Sequence, residues 1–246
     1  ALAYTVERAI RTRERELGAV CRVRTLVSGR RCTARSTGNQ IALSAVRADV
    51  RHRQPAVLRL GGERHHAESH RVGWLYRWSL PAWMKLALAV LLLDGWLYVW
   101  HRLNHAIPLL WRFHRMHHAD REMDVTTAQR FHAGELVLSA VLRLALIPLL
   151  GVTSTQLLVH ETLVVVATMF HHANISVGRF DWWLALGIVT PFLHKVHHSR
   201  EPIETNSNYA TVFSWWDRLG GTLRQRGDCE SLRLGLDEFD DPRWET

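Results

Sequence analysis

The 246-residue sequence predicts an all-α fold, an integral-membrane helical bundle with a helical cap on its cytoplasmic side. The apolar run 80–100 is interrupted only by Lys85 and Asp94, and it approaches the ~20 residues that span a bilayer as a helix. Two shorter apolar stretches follow, 136–150 and 157–170. Clusters of histidine lie just beyond the ends of these stretches, where a cap would sit.

Aromatic residues mark both ends of the first apolar run, as they do at the two interfaces of a membrane. Those before it are Trp74, Tyr76, Trp78 and Trp83, and those at its exit are Trp96, Tyr98 and Trp100. The next two stretches would reach only about 20 to 23 Å as helices, against about 30 Å of hydrocarbon. They predict a hairpin that enters the membrane or barely crosses it, with a pair of buried helices in a soluble bundle as the alternative.

The hairpin has a topological consequence, because a chain that enters and returns leaves its flanks on one side. The segments 101–135 and 171–246 would then share one membrane face, and all four histidine clusters fall within them. The weaker apolar piece 182–193 contains Pro191 and is predicted to lie at the interface. The protein is therefore predicted to be a multi-pass protein of the bacterial inner membrane.

The positive charge of the chain is local. Residues 1–72 hold 15 arginines and six acidic residues, whereas the whole chain carries a formal charge of +8. This stretch is predicted to be a disordered or non-native tail, so the charge does not indicate a nucleic-acid partner. The membrane domain is predicted over 73–225, followed by an acidic tail over 226–246. The three cysteines have no paired metal-ligand spacing, which argues against a zinc ribbon or a disulfide framework.

Ten histidines occur in four clusters, HRLNH at 101–105, HRMHH at 114–118, HH at 171–172 and HKVHH at 194–198. Residues three or four apart share a helix face, so each HxxHH triad can offer up to three imidazoles. Ten imidazoles exceed the coordination of one metal but suit two ions with about five ligands each. Imidazole alone does not distinguish zinc, iron, copper or nickel. A single HxxxH would be an ordinary pair of helix histidines, but four clusters predict a two-metal site.

These motifs resemble the fatty acid hydroxylase / sterol desaturase superfamily, whose members are membrane di-iron oxygenases. The resemblance covers about Trp78 to Leu223 and rests on LLDGWLYVWHRLNH, PLLWRFHRMHHADREMDVTTAQRFHAGE, HHANI, TPFLHKVHHS, SNYA and WDRLGGT. The order of the boxes is similar to that of bacterial sterol-desaturase-like members and differs from that of stearoyl-CoA desaturases. Ala210 stands where the family usually has glycine, and Gly220 where an aromatic residue is common. The resemblance also leads us to expect further membrane helices upstream of the apolar run 80–100.

Carried over to this chain, the resemblance implies a di-iron centre with ten histidine ligands, and it leaves open whether both members of the HH pair are ligands. The ligands are His101, His105, His114, His117, His118, His171, His172, His194, His197 and His198. The N–H groups of bound imidazoles need acceptors, for which Asp94, Asp124, Glu135, Asn174 and Asn208 are the candidates. His132 matches a family position with a supporting role. His160 is either a satisfied core residue or a supporting group.

The implied reaction is O₂-dependent hydroxylation or desaturation of a lipid C–H bond by two iron ions, for which zinc could substitute on purification. Electrons would come from a separate donor, a cytochrome b5-like protein or a ferredoxin with its reductase, because the sequence has no GxGxxG fingerprint. The main alternative is a membrane metal-binding or transport protein, which would place histidines along its spans. A b-type haem carrier and a membrane zinc hydrolase would need fewer histidines. The lipid substrate and the oligomeric state stay open.

Overall fold

The structure, a computed structural model, describes residues 73–227 and 231–239. The predicted tail at 1–72 lies outside this range. All the α-helices and 3₁₀ turns assigned in the described part are joined without a β-strand. The α-helices are α1 (Ala82–Ala106), α2 (Pro108–His118), α3 (Ala133–Leu150), α4 (Ser154–His172), α5 (Asp181–Leu184), α6 (Pro191–His197), α7 (Pro202–Thr205) and α8 (Trp215–Leu219). The predicted all-α architecture is confirmed for these residues.

Helix α1 is longer than the apolar run that predicted it. It continues through the first histidine box and ends at Ala106, where Ile107 adopts an extended conformation. Pro108 causes this stop, because a residue that precedes proline is disfavoured in the helical region. The same proline is the first residue of α2, a position that needs no backbone N–H. His101 and His105 therefore lie on the last turns of α1, and α2 brings the second box back against them.

Helices α3 and α4 follow one another in the positions of the predicted hairpin, joined by the turn 151–153 and by an ion pair between Arg143 and Glu161. They contain 18 and 19 residues, so each reaches about 27 to 29 Å. The predicted bounds were too short because polar residues cap these helices. The His132 side chain accepts a hydrogen bond from the Gly134 N–H, and Thr153 forms a reciprocal capping box with Gln156.

Two of the described helices, α1 and α3, are long and apolar enough to cross a membrane. Helix α3 buries only Glu135 and Ile147 within the protein. Its exposed surface consists largely of apolar side chains, which include Leu136, Val137, Val141, Leu144 and Leu149. A helix that faced water would carry polar residues there. This surface supports a membrane protein.

The described residues form two clusters of buried apolar side chains, one at each end of the bundle. The cluster distant from the histidines consists of Leu75, Ala89, Leu93, Ile147, Val152 and Leu157. The backbones of Gly73 and Gly151 meet beside it so closely that a Cβ on Gly73 would overlap Gly151. The second cluster, Tyr98, Val189, Tyr209 and Ala210 with Trp216, lies beside the histidines. It fixes the chain after α6 against α1.

Part of the predicted acidic tail packs against the histidine end of the protein. Arg115 on α2 forms an ion pair with Glu238 at 3.0 Å, and the Arg121 guanidinium donates to the carbonyl of Phe239 at 2.8 Å. Arg200, which follows α6, pairs with Asp237 at 3.0 Å. Residues 231–239 are thus held against the segments that carry two of the histidine boxes.

Candidate metal centre

The fold brings the four histidine clusters together at one end of the bundle. Helices α1 and α4 carry their histidines at their C-terminal ends, and α2 and α6 add the two triads. Nine histidines form two groups in which one ring nitrogen from each residue lies within 4.8 Å of the others. Group A is His101, His105, His114, His118 and His197, and group B is His117, His172, His194 and His198. Each group draws ligands from both triads.

His171 is the predicted ligand that joins neither group. It is as buried as its neighbour His172, but its ring packs on His194 with centroids 4.0 Å apart. Its Nδ1 is buried without a hydrogen-bond partner among the described residues. The structure therefore separates the two members of the HH pair, with His172 in group B and His171 beside it.

Five of the nine imidazoles donate their Nδ1–H to an oxygen behind the site. His101 donates to the Tyr209 carbonyl (2.7 Å), His114 to Glu135 Oε1 (2.9 Å), His117 to the Thr127 carbonyl (3.1 Å), His172 to the Thr168 carbonyl (2.8 Å) and His197 to the Ser207 carbonyl (2.6 Å). A neutral imidazole has one N–H, so these bonds leave each Nε2 with its lone pair. Such bonds orient metal-binding histidines.

The inward-facing Nε2 atoms approach one another as metal ligands would. The Nε2 atoms of His101 and His114 are 3.1 Å apart. Those of His172 lie 3.2 Å from His117 and 3.1 Å from His194. Two ligands at right angles around a metal, each about 2.1 Å from it, are about 3.0 Å apart. Lone pairs at this separation repel each other, and a cation between them removes that repulsion.

The ring nitrogens of three other grouped histidines also fit metal binding. Both nitrogens of His105, His118 and His198 are buried without a hydrogen-bond partner among the described residues. Buried polar atoms in native proteins are almost always satisfied. Metal coordination would satisfy one nitrogen of each ring. The five imidazoles of group A exceed the four ligands of a closed zinc site, and the four of group B equal that number. Nine imidazoles in two groups fit two ions.

Burial favours the neutral form of several of these imidazoles. Desolvation, followed by repulsion from neighbouring histidines, lowers the pKa of His117, His118, His194 and His198 well below 6.5. Desolvation also lowers the pKa of His197 to about 3. Neutral imidazole is the form that binds a metal. The folded site therefore presents competent ligands at neutral pH without first losing protons.

Of the predicted acceptors, Glu135 contacts a histidine of the two groups. Its Oε1 accepts from His114 and also from the Asn104 side chain at 3.3 Å. Asp124 instead caps a turn by accepting from the Thr126 N–H at 2.7 Å, and Asn174 accepts from Lys195 at 2.8 Å. His132 caps α3 and stacks on Phe113.

Two other predicted supporting residues hold the chain that follows α6. Asp94 on α1 accepts hydrogen bonds from the backbone N–H groups of Val212 and Phe213 and from the Trp216 indole. Asn208 lies in the left-handed region with φ of 53°, and its side chain bonds the backbones of Leu193 and Arg224. His160 is buried in α4, with Nδ1 near Glu161 at 3.4 Å.

The residues that sequence reasoning missed are mostly backbone acceptors. The carbonyls of Thr127, Thr168, Ser207 and Tyr209 receive four of the five Nδ1–H bonds. A carbonyl leaves no residue-type signal at its own position. The motif SNYA, which contains Ser207 and Tyr209, was the available sequence clue.

The glycine at position 220, a departure from the family pattern, has a structural reason. A Cβ there would overlap the hydroxyl of Tyr98. That hydroxyl forms a hydrogen bond with Thr222 Oγ1 at 3.0 Å. Gly220 thus makes room for an aromatic side chain supplied by α1.

Two adjoining groups of buried histidines at the end of apolar helices define a helical protein with a histidine cluster that could hold metal ions. The comparison with protein families is more specific. The family model described as fatty acid hydroxylase matches residues 86–222. The chain belongs to this family, which confirms the resemblance inferred from the motifs.

Several curated proteins are similar to the chain. An ornithine lipid hydroxylase of Rhizobium tropici is 30% identical over 169 residues, which cover 68% of this chain and 49% of that protein. An alkylglycerol monooxygenase of Xenopus tropicalis is 28% identical over 149 residues, 59% of this chain and 31% of that protein. A cholesterol 25-hydroxylase of Rattus norvegicus is 29% identical over 161 residues, 60% and 49%. The chain thus spans about half or less of their lengths, and no solved structure matches.

Proposed function

We propose that this chain is a membrane-bound di-iron oxygenase that uses O₂ to hydroxylate or desaturate a C–H bond of a lipid. The observation that carries the proposal is the pair of histidine groups, with five Nε2 lone pairs directed inward by hydrogen bonds from Nδ1. The relatives support the reaction class, since those named above are lipid hydroxylases or monooxygenases.

The nine histidines of groups A and B would hold the two irons, with His171 as a neighbour of group B. Bound iron would supply the activation of dioxygen and the oxidising power needed to break an unactivated C–H bond. With octahedral preference, five ligands leave about one exchangeable position and four leave about two. The protein fixes the imidazole directions through its carbonyls, and Glu135 places a negative charge behind His114. These groups are set before substrate arrives.

The lipid would reach the site from the bilayer. The apolar outer surface of α3 faces the hydrocarbon, and Phe180, Trp182 and Trp183 are exposed near the last boxes, as aromatic residues at a membrane interface are. We place the site at the cytoplasmic interface of a multi-pass protein of the bacterial inner membrane. The lipid chain would enter sideways between the helices and meet the histidines at their ends.

The electrons would come from a separate protein. The sequence contains no GxGxxG fingerprint for a dinucleotide, and nine of the described histidines belong to the two groups. A cytochrome b5-like protein or a ferredoxin with its reductase is the proposed donor.

A metal-transport function has less support than the oxygenase. A transport path would distribute ligands along the spans. Here the nine grouped histidines converge at one end of the helices.

The oxygenase proposal is tested by lipid analysis of cells that express the chain under oxygen-18 gas. We expect a lipid product whose formation needs O₂ and which carries the heavy isotope if the reaction is a hydroxylation. His197→Ala removes a group A ligand and should abolish the product while the protein still enters the membrane. Arg179→Ala is the control, since this residue is exposed and outside both groups. Product formation by His197→Ala, or bound haem in the purified protein, would contradict the proposal.

A further inference from the structure

The two histidine groups differ in what lies behind them. In group A, His101 and His197 donate to carbonyls of residues 207–209, a segment that we call the acceptor loop. In group B, the corresponding acceptors are the carbonyls of Thr127 and Thr168, which lie elsewhere. The acceptor loop therefore serves group A.

Asp217, at the start of α8, holds the acceptor loop from behind. It is 2% exposed, and it accepts hydrogen bonds from the N–H of Tyr209 at 2.7 Å and of Ala210 at 3.0 Å. The Thr222 hydroxyl donates to the same carboxylate at 2.8 Å. Bonds of backbone N–H groups to a carboxylate are stronger than neutral ones.

One peptide unit links this carboxylate to the metal centre. The Tyr209 carbonyl and the Ala210 N–H belong to the same planar peptide group. Asp217 accepts from the N–H side of that group, and the carbonyl side accepts from His101. Hydrogen bonds in such a chain polarise one another. The negative charge of Asp217 thus makes the Tyr209 carbonyl a stronger acceptor, and His101 a more basic ligand.

We propose that Asp217 is a positioning residue for the metal of group A, acting on His101 through the Tyr209–Ala210 peptide. Two carboxylates then act on the ligands of group A. Glu135 accepts a hydrogen bond directly from His114, and Asp217 acts on His101 through the peptide group whose carbonyl accepts from that histidine. Group B has no histidine bonded to a carboxylate within residues 73–227. The two metal positions are therefore unequal, and group A binds its metal more tightly.

Asp94 is a carboxylate that holds the same stretch of chain without acting on the acceptor of a grouped histidine, so it is available for comparison. Asp94 is also fully buried, and it bonds the N–H groups of Val212 and Phe213. The carbonyls of those two peptide groups accept no hydrogen bond from the nine grouped histidines. Loss of Asp94 should loosen the same stretch of chain without changing the acceptor of His101.

The test measures ferrous iron affinity of the whole chain in detergent, without oxygen, by competition with a chelator. His172→Ala, which leaves group B three histidines, supplies a background in which group A alone is complete, and the double variant His105→Ala/His118→Ala, which leaves group A three, supplies one for group B. In the first background, Asp217→Asn should weaken iron binding about 10-fold, the lower end of the 10–100-fold range for groups behind a ligand. In the second background it should leave binding unchanged, and Asp94→Asn should change neither.

Equal effects of Asp217→Asn in both backgrounds, or none in the first, would overturn the inference. If Asp217→Asn does not fold, Thr222→Val replaces it, because this variant removes one hydrogen bond that orients the Asp217 carboxylate. The expected result is then a loss of iron affinity of about 3-fold in group A alone. The absence of that loss would equally overturn the inference. The inference rests on the proposed function in one respect, that the two histidine groups bind metals. A chain that binds two irons but oxidises no lipid would contradict the proposed oxygenase and leave the role of Asp217 standing.

Discussion

His171 and His172 provide a matched pair of substitutions that tests the assignment of the metal groups. They are neighbours on α4 and are 1% and 2% exposed. Truncation to alanine should therefore create a similar cavity at each position. The difference between the two variants isolates ligation, because His172 belongs to group B and His171 does not.

The magnitude follows from the linkage between metal binding and stability. A metal present at about 100 times its dissociation constant stabilises the folded state by about 2.7 kcal/mol. For a protein of this size, each kcal/mol shifts Tm by about 2–4 °C. Loss of the group B metal should thus lower Tm by about 5–11 °C. His172→Ala should show this loss in addition to the cavity effect that it shares with His171→Ala.

The assay combines the iron content of protein purified without oxygen with thermal unfolding before and after chelation. We expect His171→Ala to retain two irons and the stabilisation by metal, and His172→Ala to retain about one. An iron content that falls equally in both variants would refute the grouping. It would show that His171 is also a ligand.

Two further predictions concern packing and pH. Gly220→Ala should destabilise the protein by about 1–3 kcal/mol through overlap with the Tyr98 hydroxyl, and Tyr98→Phe should recover part of the lost Tm; an unchanged Tm in Gly220→Ala would contradict this. The metal-free protein should lose stability as pH falls from about 6.5 towards 3, because unfolded histidines take up protons while the pKa of His197 is about 3 in the folded state. Unfolding of chelated protein across that pH range measures this, and a flat profile would be inconsistent with buried neutral imidazoles.

The helical faces of the histidine boxes could be predicted from the sequence, but their division between two groups could not. Residues four apart on a helix differ by about 40° in direction, and residues three apart by about 60° the other way. His114 and His118 accordingly share group A, whereas His117 turns to group B. The spacing HxxHH therefore predicts that the middle histidine points away from the other two. The group that each histidine joins depends on how the helices pack.

Helix ends and acceptors were harder to predict for a different reason. Hydropathy detects apolar runs, so it missed the polar turns at 101–106 and 133–135 that complete α1 and α3. Glu135 was predictable as an acceptor because its carboxylate belongs to a residue type that performs this role. The Tyr209 carbonyl was not, because every residue has a carbonyl and only the folded chain directs one towards His101.

Both metal groups depend on a short helix made late in synthesis. Group A includes His197, and group B includes His194 and His198, so neither can be completed by residues 73–193. Domains generally fold as units, the N-terminal part first, during synthesis. Because all four histidine clusters belong to one such unit, both centres would be completed together, after α6 has joined the earlier helices. A chain that stops before α6 would have seven of the ten predicted histidines and no complete centre.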